Sequence, residues 1–148
     1  MLLIKFRLRK GVVIAALLSL ITAIATVCMF IKPSSLPKGK DMLDRTAYLT
    51  MLGYTVDDGS EIKTEIKIPQ NFSKIYSEYN NTQKKAGYDL KSYSGSDAVM
   101  YTYSLSGFKD CNNAYANLIV VDGKIIGGDI SSIENGGFTL PLVSRDKQ

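Results

Sequence analysis

Carboxylates are the first side chains to consider for chemistry in this chain, because its 148 residues include no histidine. Histidine-based acid–base catalysis, Ser-His-Asp triads and histidine metal ligands are therefore excluded. A glycosidase that uses two carboxylates stays open, since one acid can protonate the leaving group while the other acts as base or nucleophile. The candidate acids are Glu78, Asp89, Asp129 and Glu134. None lies in a catalytic motif, so we predict no catalytic residue, no metal ligand and no cofactor.

The remaining nucleophiles are serine and cysteine. A serine–lysine pair needs a Ser-x-x-Lys-like spacing, which neither Ser73-Lys74 nor the segment 92–95 supplies. The two cysteines, Cys28 and Cys111, lie in different parts of the chain, and we do not expect them to form a disulfide. We interpret Cys111 as a half-buried small residue, with a reactive thiol as the alternative.

The positive charge of the chain is concentrated at its start. The formal net charge is +4, and the first ten residues carry four cations and no acid, namely Lys5, Arg7, Arg9 and Lys10. The rest of the chain is neutral, with 14 basic and 14 acidic residues. A neutral body lacks the phosphate-driven attraction that nucleic-acid binding requires, so we predict no nucleic-acid partner.

Residues 11–31 form an uncharged run in which 17 of 21 residues are apolar. As a helix this run is roughly 30 Å long, about the thickness of the bilayer hydrocarbon. It predicts a transmembrane signal anchor that follows a cytoplasmic basic stub, residues 1–10. The basic residues keep the N-terminus in the cytoplasm and place the rest outside it. Cleavage after Ala25 would give a secreted form, but the apolar run continues for six residues beyond it, which favours an uncut anchor.

A linker and a first helix follow the membrane segment. Residues 32–40 contain two prolines, two serines and a glycine, so they predict a linker before an extracytoplasmic domain, residues 41–148. Asp41 is suited to cap a helix and Gly53 to end it, which predicts a helix over 41–52. The face of this helix that we expect to be buried carries Leu43, Ala47, Tyr48, Met51 and Leu52.

A second helix is predicted between an Asn71 cap and Gly87. Its stripe at helical spacing consists of Phe72, Ile75, Tyr76, Tyr79, Gln83 and Ala86. Tyr79 and Gln83 could face a ligand or form the wet margin of a buried face, and we favour the margin.

Strands account for most of the remaining body. Residues 61–68 alternate strictly between charged and apolar or threonine side chains, which predicts a strand covered on one side. Residues 97–105 and 114–121 are also strand-like. Asp122-Gly123 predicts a two-residue hairpin turn into 124–126. Gly127-Gly128 then predicts a break or bulge in this strand. A last edge strand is predicted from the alternation of Phe138, Leu140 and Leu142.

This order of elements predicts the α+β class. We expect one N-terminal transmembrane helix followed by a small domain, in which an antiparallel sheet carries two helices packed on one face.

Four runs of the sequence resemble one known family. They are YLTMLGYTV, IPQNFSKIYSEYNNTQKKAGYDLKSYSG, VMYTYSL and LIVVDGKIIGGDISS. The pattern, over residues 43 to about 142, is similar to the domain of unknown function 4830 family of small bacterial proteins, whose members often carry an N-terminal membrane segment and one outer domain. The resemblance implies these boundaries and no activity. Its polar positions are a candidate binding surface: Tyr79, Asn80, Gln83, Tyr88, Asp89 and Asp129.

By elimination, we predict a membrane-anchored, non-enzymatic binding or accessory module that contacts a protein or cell-envelope partner. Tyrosine-rich surfaces suit this role because they give a large contact area at a low entropic cost. The alternative function is a small cell-envelope hydrolase with paired carboxylates.

Overall fold

The structure, a computed structural model, describes residues 35–147 apart from 109, 110, 112 and 135. The predicted stub 1–10 and membrane segment 11–31 lie outside the described residues. Within the described ranges, no helix combines the length and the apolar character needed to cross a membrane. The elements in chain order are α1 (Met42–Met51), β1 (Thr55–Val56), β2 (Ile62–Lys67), α2 (Lys74–Lys85), β3 (Asp97–Ser106), β4 (Ala114–Val121), β5 (Lys124–Ser132) and β6 (Phe138–Pro141).

All six strands belong to one antiparallel sheet, which confirms the predicted α+β class. Strands β3, β4, β5 and β6 are consecutive neighbours, as expected for strands joined by short connections. On the other side of β3, β1 and β2 lie end to end: β1 pairs with Leu105 and Ser106, and β2 with the segment 97–102. The segment 57–61 bulges out between these two short strands.

The local signals in the sequence set most of the element boundaries. The Asp41 carboxylate accepts a hydrogen bond from the Asp44 amide and caps α1. Gly87 follows α2 with φ +87°, a conformation that favours glycine. The Asp122-Gly123 turn has the two positive φ values of a type I′ hairpin, as predicted. The cap of α2 differs from the prediction, because the Ser73 side chain, and not Asn71, accepts from the helix.

The glycine pair in β5 lies beside a bulge, and the strand continues to Ser132. Ile119 pairs with Gly127 and Val120 with Ile125, which leaves Ile126 as the extra residue. A bulge places two successive residues on the same side of a strand. Ile126 and Gly127 therefore face the same layer.

The two helices pack on opposite faces of the sheet, so the prediction that both lie on one face is wrong. Tyr103 and Leu118 belong to the core cluster that includes Leu49 of α1. Ile119, the next residue after Leu118, belongs to a second cluster, where Tyr76 and Tyr79 of α2 pack. Neighbouring residues of a strand point to opposite faces, and β4 offers apolar side chains to both.

The buried face of α1 agrees with the prediction only in part, because Tyr48 and Leu52 pack against the core as predicted. Leu49 and Arg45 point into the structure, while Leu43 and Met51 are 77% and 71% exposed. A buried arginine is not expected from an apolar pattern, so periodicity alone wrongly assigned Leu43, Ala47 and Met51 to the buried face. The predicted stripe along Leu43, Ala47 and Met51 therefore lies on the outer side of the helix.

Segments from both ends of the described chain complete the domain. The compact unit begins at Leu36, within the predicted linker. The Pro37 carbonyl accepts from the Ile125 amide at 2.9 Å, and the Gly39 amide donates to the Gly123 carbonyl at 3.0 Å. At the other end, the segment 142–145 holds the end of α1: the Tyr54 hydroxyl donates to the Val143 carbonyl at 2.8 Å, and the Arg145 amide to the Leu52 carbonyl at 2.9 Å.

Candidate functional site

Asn80 and Asp89, two of the predicted site residues, hold the turn that follows α2. Asn80 is only 4% exposed. Its Nδ2 donates to Asp89 Oδ1 at 2.8 Å, and its Oδ1 accepts from the Leu90 amide at 2.8 Å. Asp89 also accepts from the Lys91 amide, so it caps the short helical turn Leu90–Tyr93. The hydrogen bond from Asn80 lowers the pKa of the Asp89 carboxyl.

Gln83 and Tyr88 are buried and connect α2 to the rest of the domain. Gln83 Oε1 accepts from the Gly128 amide at 2.7 Å, at a point of β5 that β6 does not reach. The Gln83 side chain thus replaces the hydrogen bond that a neighbouring strand would make to this amide. Because Gln83 is fully buried, the prediction that it forms the wet margin of the helix is wrong. The Tyr88 and Tyr48 hydroxyls are 2.6 Å apart, which links the end of α2 to α1. Burial raises the pKa of Tyr88.

Tyr79 and Asp129 connect α2 to the sheet by a short hydrogen bond. The Tyr79 hydroxyl donates to Asp129 Oδ2 at 2.6 Å, and Asn117 Nδ2 donates to Asp129 Oδ1 at 2.8 Å. Asp129 is 5% exposed, and each of its oxygens accepts a hydrogen bond. Burial, together with the adjacent Asp129 carboxylate, raises the pKa of Tyr79. Of the six predicted site residues, Tyr79 and Asp89 are half-buried and the other four are buried, and all six make contacts that support the fold.

The network around Asp129 continues onto a part of the sheet that is half-exposed. Asn117 Nδ2 also contacts Ser131 Oγ at 3.0 Å, and the Thr102 hydroxyl donates to Asn117 Oδ1 at 2.7 Å. The strand register places Ser104, Tyr115 and Ser131 in the adjacent row. We call this surface the open polar face: Thr102, Ser104, Tyr115, Asn117, Ser131 and Thr139.

The prediction from sequence missed the open polar face, although part of its signal is present. Thr102 and Ser104 alternate with buried or half-buried residues along β3, and Tyr115 and Asn117 do so along β4. Alternation shows that each pair shares one face of its strand. Only the register between the strands shows that the two pairs lie side by side on the same surface.

Three of the four candidate catalytic carboxylates have structural partners, and the fourth, Glu78, is exposed on α2. Asp129 is occupied by Tyr79 and Asn117, and Glu134 accepts from Asn113. The lowered pKa of Asp89 is the opposite of what a general acid requires. Among the described residues, no group of three or more cysteine, aspartate or glutamate side chains could hold a metal ion. Cys111 is half-buried, with its Sγ 3.2 Å from Ser132 Oγ.

A second polar cluster lies on the α1 side of the sheet. The Arg45 guanidinium donates to Glu61 Oε2 and to the Tyr103 hydroxyl, each at 2.8 Å, and lies 3.6 Å from the centre of the Tyr101 ring. Burial alone would raise the pKa of Glu61, but hydrogen bonds from Tyr103 and Arg45 outweigh it and lower that pKa. The cluster fixes α1 to the bulged segment between β1 and β2.

Comparison with known proteins gives one match. The model of a family described as Domain of unknown function (DUF4830) matches residues 48–130, more than half of the chain. The match confirms the resemblance and includes Tyr79, Asp129 and most of the open polar face. No curated protein and no solved structure matches the chain.

Proposed function

The chain belongs to the DUF4830 family, and we propose that it is a membrane-anchored, non-enzymatic binding module whose open polar face contacts a protein or cell-envelope partner outside the cytoplasm. The open polar face carries this proposal. Its side chains are half-exposed or exposed, and they come from four neighbouring strands of a sheet rather than from mobile loops. Polar groups held on rigid elements bind with a smaller ordering cost than groups on a flexible surface.

The sequence of the N-terminal region supports the location of the module. The uncharged run 11–31 is long enough to span a bilayer, and the four cations before it favour a cytoplasmic N-terminus. In this arrangement the domain lies on the outer side of the membrane, where cell-envelope polymers and the outer parts of membrane proteins are available.

The chemistry of the open polar face suggests the kind of group that it binds. It offers hydroxyl and amide groups and an aromatic ring at Tyr115, and none of its members is charged. Such a surface suits a neutral partner rich in hydroxyl or amide groups. Glycan strands of the envelope and extended peptide segments both have this composition.

Photo-cross-linking tests the proposal in the native membrane. We would replace Tyr115 with a benzoylphenylalanine residue, and place the same group at Ile75, which is 80% exposed on α2, as the control position. A discrete adduct is expected at position 115 and not at position 75. In parallel, the purified chain should co-sediment with cell-wall sacculi if the partner is a glycan, and Tyr115→Ala should reduce this binding. Equal labelling at both positions, without binding to sacculi, would contradict the proposal.

A further inference from the structure

The outer side of α1 carries an apolar stripe that no core contact explains. Leu43 and Met51 are 77% and 71% exposed, and Ala47 between them is exposed as well. The spacing of four residues places the three side chains in one row along the helix. Single exposed apolar residues are common on protein surfaces, whereas these three are aligned and form one small apolar patch along the helix.

We propose that α1 rests on the lipid surface of the membrane through this stripe. The inference depends on the proposed anchoring by residues 11–31. The domain is fixed from Pro37 onward by the hydrogen bonds to the β4–β5 hairpin, and the apolar run ends at Ile31. Six residues reach at most roughly 20 Å when fully extended. The segment that leads into α1 is therefore held close to the bilayer.

A lipid surface fits the stripe better than a second copy of the chain does. A ten-residue helix is about 15 Å long and about 10 Å wide, so its outer side presents on the order of 150 Å². Stable protein interfaces bury about 800 Å² on each partner. Contact with lipid needs a smaller area here, because anchoring by residues 11–31 already gives the domain a high effective concentration of membrane surface.

Charge does not provide the attraction in this proposal. Lys38 and Lys40 lie before α1, but Asp41 and Asp44 at the start of the helix balance them. We therefore expect the contact to depend on apolar burial and to change little with salt concentration.

Docking through α1 would also orient the open polar face. Leu49 of α1 packs on the sheet face that carries Tyr103 and Leu118, whereas Asn117 and Tyr115 point to the other face. With α1 on the lipid, the open polar face is directed away from the membrane, towards the envelope.

The absence of tryptophan from the chain provides a direct test. Leu43→Trp and Met51→Trp each introduce a single tryptophan at an exposed position, and Ile75→Trp on α2 is the matched control. The full chain is reconstituted into vesicles of phosphatidylethanolamine and phosphatidylglycerol with brominated acyl chains. We expect the fluorescence at positions 43 and 51 to fall at least about twofold, because interfacial helices bury their apolar face to the acyl boundary. The fluorescence at position 75 should be unchanged.

Flotation of the vesicles separates the possible failures. If the chain floats with the vesicles but positions 43 and 51 are not quenched, docking is refuted and anchoring stands. If the chain does not float after an alkaline wash, both proposals fail. A blue shift that increases with the protein-to-lipid ratio, without quenching by bromine, would assign the stripe to a second copy and overturn the lipid contact.

Discussion

The hydrogen bond between Tyr79 and Asp129 allows a quantitative test of how α2 is held to the sheet. Tyr79→Phe removes a hydroxyl that donates at 2.6 Å to a carboxylate that is only 5% exposed. Asn117 still donates to the other carboxylate oxygen, but water cannot easily replace the lost donor at this depth. The variant thus leaves a buried charge one hydrogen bond short.

The expected cost follows from this geometry. Hydrogen bonds to charged groups contribute about 1.5–3 kcal/mol, and a short buried one belongs in the middle of that range. We expect Tyr79→Phe to lower the free energy of unfolding by about 2 kcal/mol. For a domain of this size, that corresponds to a decrease in Tm of about 10 °C.

A double-mutant cycle with Asp129→Asn isolates the interaction. The free energy of unfolding would be measured by urea denaturation of the full chain in detergent micelles, with near-ultraviolet circular dichroism of the tyrosines as the signal. We expect a coupling energy of about 1–2 kcal/mol between the two positions. Tyr115→Phe, at a half-exposed tyrosine, is the control and should cost less than about 0.5 kcal/mol.

Two results would contradict a supporting role for this hydrogen bond. A coupling energy below about 0.5 kcal/mol would show that the hydroxyl and the carboxylate do not depend on each other. A loss of cross-linking at position 115 in folded Tyr79→Phe would show that Tyr79 takes part in binding, and not only in support.

Three further predictions concern other contacts. A Cβ at Gly128 would collide with the Asn117 carbonyl and come within 2.7 Å of the Leu142 side chain. Gly128→Ala should therefore lower the free energy of unfolding, measured in urea, by about 3 kcal/mol. An unchanged free energy of unfolding would refute this packing. The pKa of Glu61 is lowered in the folded state. Its contribution to folding stability is therefore present above the ordinary pKa of 4.5 and is lost as the pH falls through the folded-state pKa. Glu61→Gln should therefore flatten the acid limb of stability against pH, and an unchanged limb would contradict the Arg45 pairing. Five tyrosines have raised pKa values in the folded chain: Tyr48, Tyr76, Tyr79, Tyr88 and Tyr103. Their contribution to stability is therefore fully present below the ordinary pKa of 10.0 and is lost as the pH rises through the folded values. Absorbance at high pH should show fewer ionised tyrosines in the folded chain than in urea, and a single transition of all tyrosines near the ordinary pKa would contradict their burial.

The parts of the fold that the sequence predicted correctly depend on short-range physics. Asp41 caps α1, Gly87 ends α2, and the Asp122-Gly123 turn joins β4 to β5, because each conformation is set by the residue and its immediate neighbours. The alternation of 61–68 predicted β2 for the same reason, although Ile62 on the face expected to be covered is 59% exposed. These signals are sufficient for element types and order, and hence for the α+β class.

The errors arise where contacts join distant parts of the chain. Arg45 is buried because Glu61, Tyr101 and Tyr103 surround its guanidinium, and no local pattern reveals that arrangement. Gln83 appeared to be a polar margin, yet its buried side chain satisfies an amide of β5. Strand register likewise decides which polar residues meet on the open polar face. Among the predicted site residues, Tyr79 and Asp129 lie beside the open polar face without belonging to it.

The contacts of the segment 142–145 constrain when the domain can fold during synthesis. The acceptor of the Tyr54 hydroxyl lies 89 residues later in the chain, and Leu142 completes the cluster around Leu49. The first helix therefore emerges long before its binding partners, and loop-closure entropy opposes an early native contact. A nascent chain therefore stays incompletely packed until the segment 142–145 has been released from the ribosome. Ribosome stalling within β6 would leave a chain with an open core, which is prone to aggregation and to proteolysis.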